Sequence, residues 1–208
     1  MTTIYIVRHG QSHGNVDVVL REGDPHLTDI GKDQIKEVAK KLIRVHFDAI
    51  FSSDLTRAIQ TAKIINLKRK LILKTIQVLR ERNFGSFYKN KNREEIKIML
   101  EHLKAQIYKI PQEEFWKYKM IDDMESEEEA VSRFITALRE IAIAYDGKTV
   151  LIIGHGNMMR SFLTHLGFAT FRELPSGSVK NAGYIRLESD GIDFFVKETV
   201  GVTKKATP

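Results

Sequence analysis

The chain has 208 residues, 42% of them hydrophobic and 29% charged, which is enough apolar content to bury a core and too much for a disordered polypeptide. The absence of cysteine excludes a disulfide framework, a thiolate nucleophile, thiol redox chemistry and cysteine-held metal. A formal charge of +6 favours anionic ligands, but no basic run carries interleaved aromatics and no window approaches ~18 apolar residues. The expectation is therefore a soluble, cytoplasmic protein that partners neither nucleic acid nor membrane.

In chain order, residues 3–7 (TIYIV) form the first predicted strand, and it runs directly into Arg8-His9-Gly10. Ile35, Val38, Ala39, Leu42 and Val45 then lie on one helical face, with Thr28 as the expected N-cap. Residues 49–51 form a second strand, which passes through Ser52-Ser53 into a helix marked by Leu55, Ala58, Ile59, Ala62 and Ile65. Ser53 is its expected cap, and Arg57 falls on its first turn. A β-like run precedes Leu79-Arg80-Glu81-Arg82-Asn83-Phe84-Gly85.

From Asn83 to Asp123 the rhythm breaks. A basic stretch (SFYKNKNR) is followed by a helical set (Ile96, Met99, Leu100, Leu103, Ile107) and an acidic-aromatic connector around Trp116. This reads as a helical insertion over the active-site end of the sheet, with 86–123 as a lid. Ser126 and Glu129 form a capping box for a helix on Val131, Phe134, Ile135, Leu138, Ile141 and Tyr145. Strand 149–153 then runs into Gly154-His155-Gly156, and a helix begins near Asn157 with Met159, Phe162, Leu163 and Leu166 inward. Strands at 183–187 and 193–197 follow, and residues 201–208 are expected to be a flexible tail. The alternation predicts one α/β domain over 1–200, a three-layer sandwich with a mostly parallel central sheet. The strand order does not follow from the sequence.

Ligands of open α/β sheets bind beyond the carboxyl ends of strands, which makes Arg8-His9-Gly10 and Gly154-His155-Gly156 site candidates. Arginine offers a planar fork to phosphate oxygens, histidine is a nucleophile or base near neutral pH, and glycine lets backbone approach closely. The GHG segment carries Met159 where a dinucleotide fingerprint needs a third glycine. His9, His13 and His26 make a poor metal-ligand set, because the segment holds a glycine and follows a strand. Ser12 and Ser53 lack the elbow motif of a serine nucleophile. Four phosphate-compatible cations (Arg8, His9, Arg57, His155) and one carboxylic acid, Glu81, suit phosphoryl transfer better. A solvated charge in a polar turn is the plain alternative for Glu81.

These motifs, taken in order, resemble the histidine phosphatase superfamily, in its phosphoglycerate mutase-like branch. The likeness rests on RHG at 8–10 with Asn15 following, LTxxGxxQ at 27–34, SSDLTRAIQTA at 52–62, LRERNFG at 79–85, a Glu-Ser helix start near 125, GHG at 154–156 and Asn181-Ala182-Gly183. It implies that His9 attacks phosphorus to form a phosphohistidine while Arg8, Arg57 and His155 hold the equatorial oxygens. Glu81 would protonate the leaving oxygen and then deprotonate the hydrolytic water. Asn15, Gly156, Asn157 and Arg80 would bind substrate, and no metal or cofactor is called for.

The family holds hydrolases and mutases. The short chain, Gln11-Ser12-His13-Gly14-Asn15 after RHG and the LRERNFG segment resemble the phosphatases. A phosphatase acting on a small phosphorylated metabolite is expected, with mutase-type transfer or a catalytically weak binding protein as alternatives. Lys89, Lys91, Phe87, Tyr88 and Trp116 would suit a sugar phosphate, a phosphorylated acid or a nucleotide alike. Monomer and dimer both remain open.

Overall fold

The computed structural model describes residues 1–17, 23–107 and 109–206. Its centre is a six-stranded sheet of β1 (Thr2–Arg8), β2 (Ala49–Ser52), β3 (Leu73–Thr75), β4 (Thr149–Gly154), β5 (Val179–Ser189) and β6 (Phe194–Val202), in the order β3-β2-β4-β1-β5-β6. Strands β3, β2, β4 and β1 are mutually parallel, whereas β5 and β6 are antiparallel additions on the β1 side. The helices are α1 (His13–Val16), α2 (Asp29–Lys41), α3 (Thr56–Asn66), α4 (Arg93–Ile107), α5 (Gln112–Phe115), α6 (Glu127–Ala144) and α7 (Gly156–His165).

Alternation of side chains along each strand divides the core. Ile4, Ile6, Ala49, Phe51, Val150 and Ile152 face α6 and α7, packing with Phe134, Leu138 and Phe162. Val7, Ile50, Leu151 and Ile153 face α2 and α3, packing with Ile35, Val38, Ala58, Ala62 and Ile65. Central strands covered on both faces have no solvent side to make polar, hence their unbroken apolar sequences. A third cluster of Phe87, Tyr88, Ile96 and Met124 forms within the insertion. Beyond it, Phe115 stacks on Phe171 with ring centroids 4.1 Å apart, fastening α5 to the body.

Several elements differ from their sequence expectation. The β-like run expected before Leu79 yields only a three-residue strand, β3, at the sheet edge with Lys74 and Thr75 exposed, so its apolar signal is weak. Helix α2 stops at Lys41, and Val45 reaches the core from the turn beyond. The N-cap of α3 is Leu55 rather than Ser53. Asp24 does the capping from another segment, accepting the Thr56 amide at 2.8 and 3.0 Å and the Thr56 hydroxyl at 2.6 Å. The tail expected from 201 begins inside β6, and beyond it the Thr203 and Lys205 amides donate to Ser178 and Glu173 carbonyls at 2.9 and 2.8 Å. Those bonds tie the chain to the loop before β5.

Candidate active site

Three parallel strands deliver the site by their ends. Arg8 pairs in register with Gly154 and Ser52 with Ile153, so His9, His155 and Ser53 each leave the sheet at its carboxyl edge. The His9 amide donates to the Gly154 carbonyl at 3.1 Å and the Ser53 amide to Ile153 at 3.1 Å, extending the ladder one residue past the strands. The His9 and His155 rings therefore lie with centroids 5.2 Å apart and both almost fully buried; His9 lines a cleft of about 700 Å³, as do Gly156 and Asn157 just after His155.

Hydrogen bonds fix the ring tautomers. His9 Nδ1 lies 2.7 Å from the Gly10 carbonyl, which can only accept, so Nδ1 carries the proton. Nε2 is left as a lone pair, and it receives Arg57 Nε at 3.3 Å. Arg57 Nη2 lies 3.4 Å from His155 Nδ1, and His155 Nε2 donates to Ser53 Oγ at 2.8 Å, by the same logic. Burial first, and then the Arg57 and Arg8 charges, hold the His9 imidazole well below the ordinary histidine range. Burial, Arg57, His9 and Arg8 do the same to His155. Both rings are neutral at neutral pH, and a neutral, oriented Nε2 can attack phosphorus without first losing a proton.

Arg8 reaches across to donate to the Val179 carbonyl on β5. Its guanidinium lies against Gly156, where an added Cβ would come within 2.8 Å of Arg8 Cζ and Nε. Asn15 Oδ1 accepts from the Ser12 amide at 3.0 Å, the Ser12 hydroxyl at 3.1 Å and Asn181 Nδ2 at 3.1 Å, which leaves its amino group as the remaining donor. Gly156, Asn157, Arg80 and Glu81 also line the cleft.

Two of these residues are already engaged within the protein. Arg80 is held in a two-pronged pair by Asp54, both bonds 2.6 Å. Glu81 caps α7, with Oε2 accepting the Asn157 amide at 3.0 Å and Oε1 accepting Met158 and Arg82 amides at 2.9 and 3.0 Å. The Asn157 amide expected at phosphate thus meets a carboxylate. Were Glu81 not the acid, Glu22, Asp24 and Asp54 would be the next candidates: Asp24 is committed to α3 and stands 4.0 Å from Arg57 Nη1, Asp54 is committed to Arg80, and Glu22 lies outside the described residues.

The arrangement joins a neutral imidazole, two guanidinia and a carboxylate at one strand edge, which is the equipment of a covalent phosphoryl transfer. The family model of the histidine phosphatase superfamily (branch 1) matches residues 4–200. The chain belongs to that superfamily. The protein is 31% identical to a 2,3-bisphosphoglycerate-dependent phosphoglycerate mutase of Cytophaga hutchinsonii, over 80% of this chain and 78% of that one. It is also 28% identical to the uncharacterized phosphatase PhoE of Bacillus subtilis, over 90% and 89%. A solved phosphoglycerate mutase from Bacillus anthracis superposes with a TM-score of 0.78 at 24% identity, covering 97% of this chain and 93% of that one.

The site also engages residues to which the sequence assigned no role there. Ser53, expected as a cap, instead orients His155 and accepts the Leu55 amide at 3.2 Å. Asn181 sits in an irregular stretch of β5 where Ala182 takes φ 59°, and it bridges the His9 carbonyl at 3.2 Å to Asn15. The Asn-Ala-Gly signal was visible, but its contacts are long-range. Glu127, buried on α6, binds Arg82, Arg160 and Ser161 and so links the segment carrying Glu81 to α7. Nothing in the local pattern separates Glu127 from its exposed acidic neighbours.

Proposed function

We propose that this chain is a phosphatase that hydrolyses a small phosphomonoester of the cytoplasm through a phosphohistidine on His9. The observation that carries it is the His9 ring, neutral, with Nδ1 locked on the Gly10 carbonyl and Nε2 turned to Arg57. In the first step the Nε2 lone pair bonds phosphorus, the bond to the leaving oxygen breaks, and protonated Glu81 gives that oxygen its proton. Arg8 and Arg57 hold equatorial oxygens, with Asn15 as a further donor, and His155 joins them when Nδ1 takes up a proton, its Nε2–H staying on Ser53. In the second step Glu81 takes a proton from water, the water oxygen bonds phosphorus, and the P–N bond breaks back to His9. Substrate enters beneath the 86–123 segment.

Relatives carry both mutase and phosphatase names, and one feature of the cleft favours hydrolysis. A mutase must retain a second anionic group of its substrate. Among the described residues, the cleft guanidinia beyond Arg8 and Arg57 each face a carboxylate: Arg80 on Asp54, Arg82 on Glu127 and Arg133 on Glu125. The test is acid-free trapping with a labelled phosphomonoester. Label stable to base and labile to acid is expected in the wild type and absent from His9→Ala, which should still bind phosphate. Label on serine, or retained turnover in His9→Ala, would refute the mechanism.

A further inference from the structure

The irregular chain that carries Glu81 is held by an arginine whose every donor is spent on that chain or on the carboxylate that braces it. Arg133, on α6, donates Nη1 to the Val78 and Arg80 carbonyls at 2.5 and 3.1 Å and Nη2 to the Glu81 carbonyl at 3.1 Å. Its Nε and Nη2 take the two Glu125 oxygens at 2.6 and 2.9 Å. A guanidinium has five N–H groups, and these are five bonds. Although Arg133 lines the cleft, it has no donor left for a substrate unless it first lets go of the chain.

Glu125 completes the fastening. Its Oε2 also accepts the Asn83 amide at 2.9 Å, and its carbonyl accepts Arg82 Nε at 2.7 Å. Residues 78–83 are otherwise a 3-10 turn (Gln77–Leu79) followed by irregular chain, with no sheet ladder to fix them. Proton transfer to a leaving oxygen tolerates little displacement, and a shift of about 1 Å can cost on the order of 10²-fold. A carboxyl on irregular chain therefore depends on whatever holds that chain.

We propose that Arg133, braced by Glu125, is a positioning residue that sets Glu81 for proton transfer to the leaving group. This rests on the reading of Glu81 as the acid. All five Arg133 bonds go to residues 78–81 and Glu125, and its only action on the histidines is a minor charge on His155, so its main effect falls on the step that depends on leaving-group basicity.

The experiment measures kcat/KM on nitrophenyl phosphate and on an alkyl phosphate for the full chain and for Arg133→Met, Arg133→Lys, Glu125→Gln and Glu81→Gln. Arg133→Met should lose on the order of 10²-fold on the alkyl ester and under about tenfold on the nitrophenyl ester. Inhibition by inorganic phosphate should change by less than about twofold, since Arg8 and Arg57 are untouched. Arg133→Lys restores charge without the fork and should not rescue, and Glu125→Gln reports on the brace even if Arg133→Met fails to fold. Added to Glu81→Gln, Arg133→Met should have little further effect on the ratio between the two esters.

Equal losses on both esters, or rescue by Arg133→Lys, would overturn the proposal. Wild-type leaving-group dependence in the brace variants, beside a steepened one in Glu81→Gln, would overturn the brace while sparing the acid. Unchanged dependence in Glu81→Gln would remove the acid assignment itself, and the brace with it.

Discussion

Placing two neutral imidazoles beside two guanidinia costs protonation, and the cost has a sign that can be measured. The unfolded chain titrates its histidines near 6.5, whereas burial and the arginines hold His9 and His155 well below that. Above about pH 6.5 both states bind no proton at these rings and stability is indifferent to them. As pH falls below that value the unfolded state gains protons that the folded state refuses, so stability declines until the folded pKa is reached. Thermal unfolding from about pH 7 to about pH 5 should show this loss, with a shallower slope in His155→Asn. A slope identical to wild type would mean that His155 titrates normally. Ring-nitrogen NMR should likewise find both histidines neutral at about pH 6.

The residue scale is also where the sequence was most readable. Arg8, His9, Arg57, Glu81 and His155 stand in short motifs; the structure brings the first four to the lining of one cleft, and His155 is buried against Arg57. What could not be read was their engagement. That Arg80 is occupied by Asp54, or that Glu81 meets the α7 amides, depends on segments distant in sequence.

At the scale of elements, α7 joins the site through its first residue. A side chain at Gly156 would displace the Arg8 guanidinium, a flexible group, and not the backbone. Gly156→Ala should therefore lower kcat/KM on the order of 10²-fold while changing stability by only about 0.5 kcal/mol. A variant with wild-type kinetics would place Arg8 outside the transition state. The opposite profile belongs to Glu127, where burial pushes the carboxyl up but Arg160 and Arg82 outweigh it and hold it ionised. Glu127→Ala leaves two guanidinia in the interior without their anion and should cost about 3–5 kcal/mol in denaturant unfolding.

Helices with a strong apolar period and the three buried strands were legible from sequence because packing and pattern agree there. The Ser126 cap was also legible, since its hydroxyl accepts the Glu129 amide at 3.1 Å, three residues away. The α3 cap was not, since its carboxylate, Asp24, comes from 32 residues upstream. Edge strands were under-read for a different reason. One side of β3 has no neighbour, and β6 alternates exposed residues such as Phe195 and Lys197 with packed ones, so neither shows an unbroken apolar run.

For the molecule as a whole, the concentration of positive charge at one edge should make oxyanions stabilising ligands. Phosphate or vanadate at millimolar concentration should raise the melting temperature, by the mass action that any native-state ligand exerts. The shift should fall in Arg57→Ala. Prolonged treatment with EDTA should leave activity intact, since the field comes from side chains. Restoration of a lost rate by zinc or magnesium would contradict that.

The cluster of Phe87, Tyr88, Ile96 and Met124 is separate from the two that clasp the sheet. The histidines, by contrast, are spaced by backbone pairing between β1 and β4, which no side-chain substitution in the insertion touches. The histidine pair and the insertion's core are thus held by different parts of the chain. Repacking or exchanging the insertion's core should therefore leave the spacing of His9 and His155 unaltered.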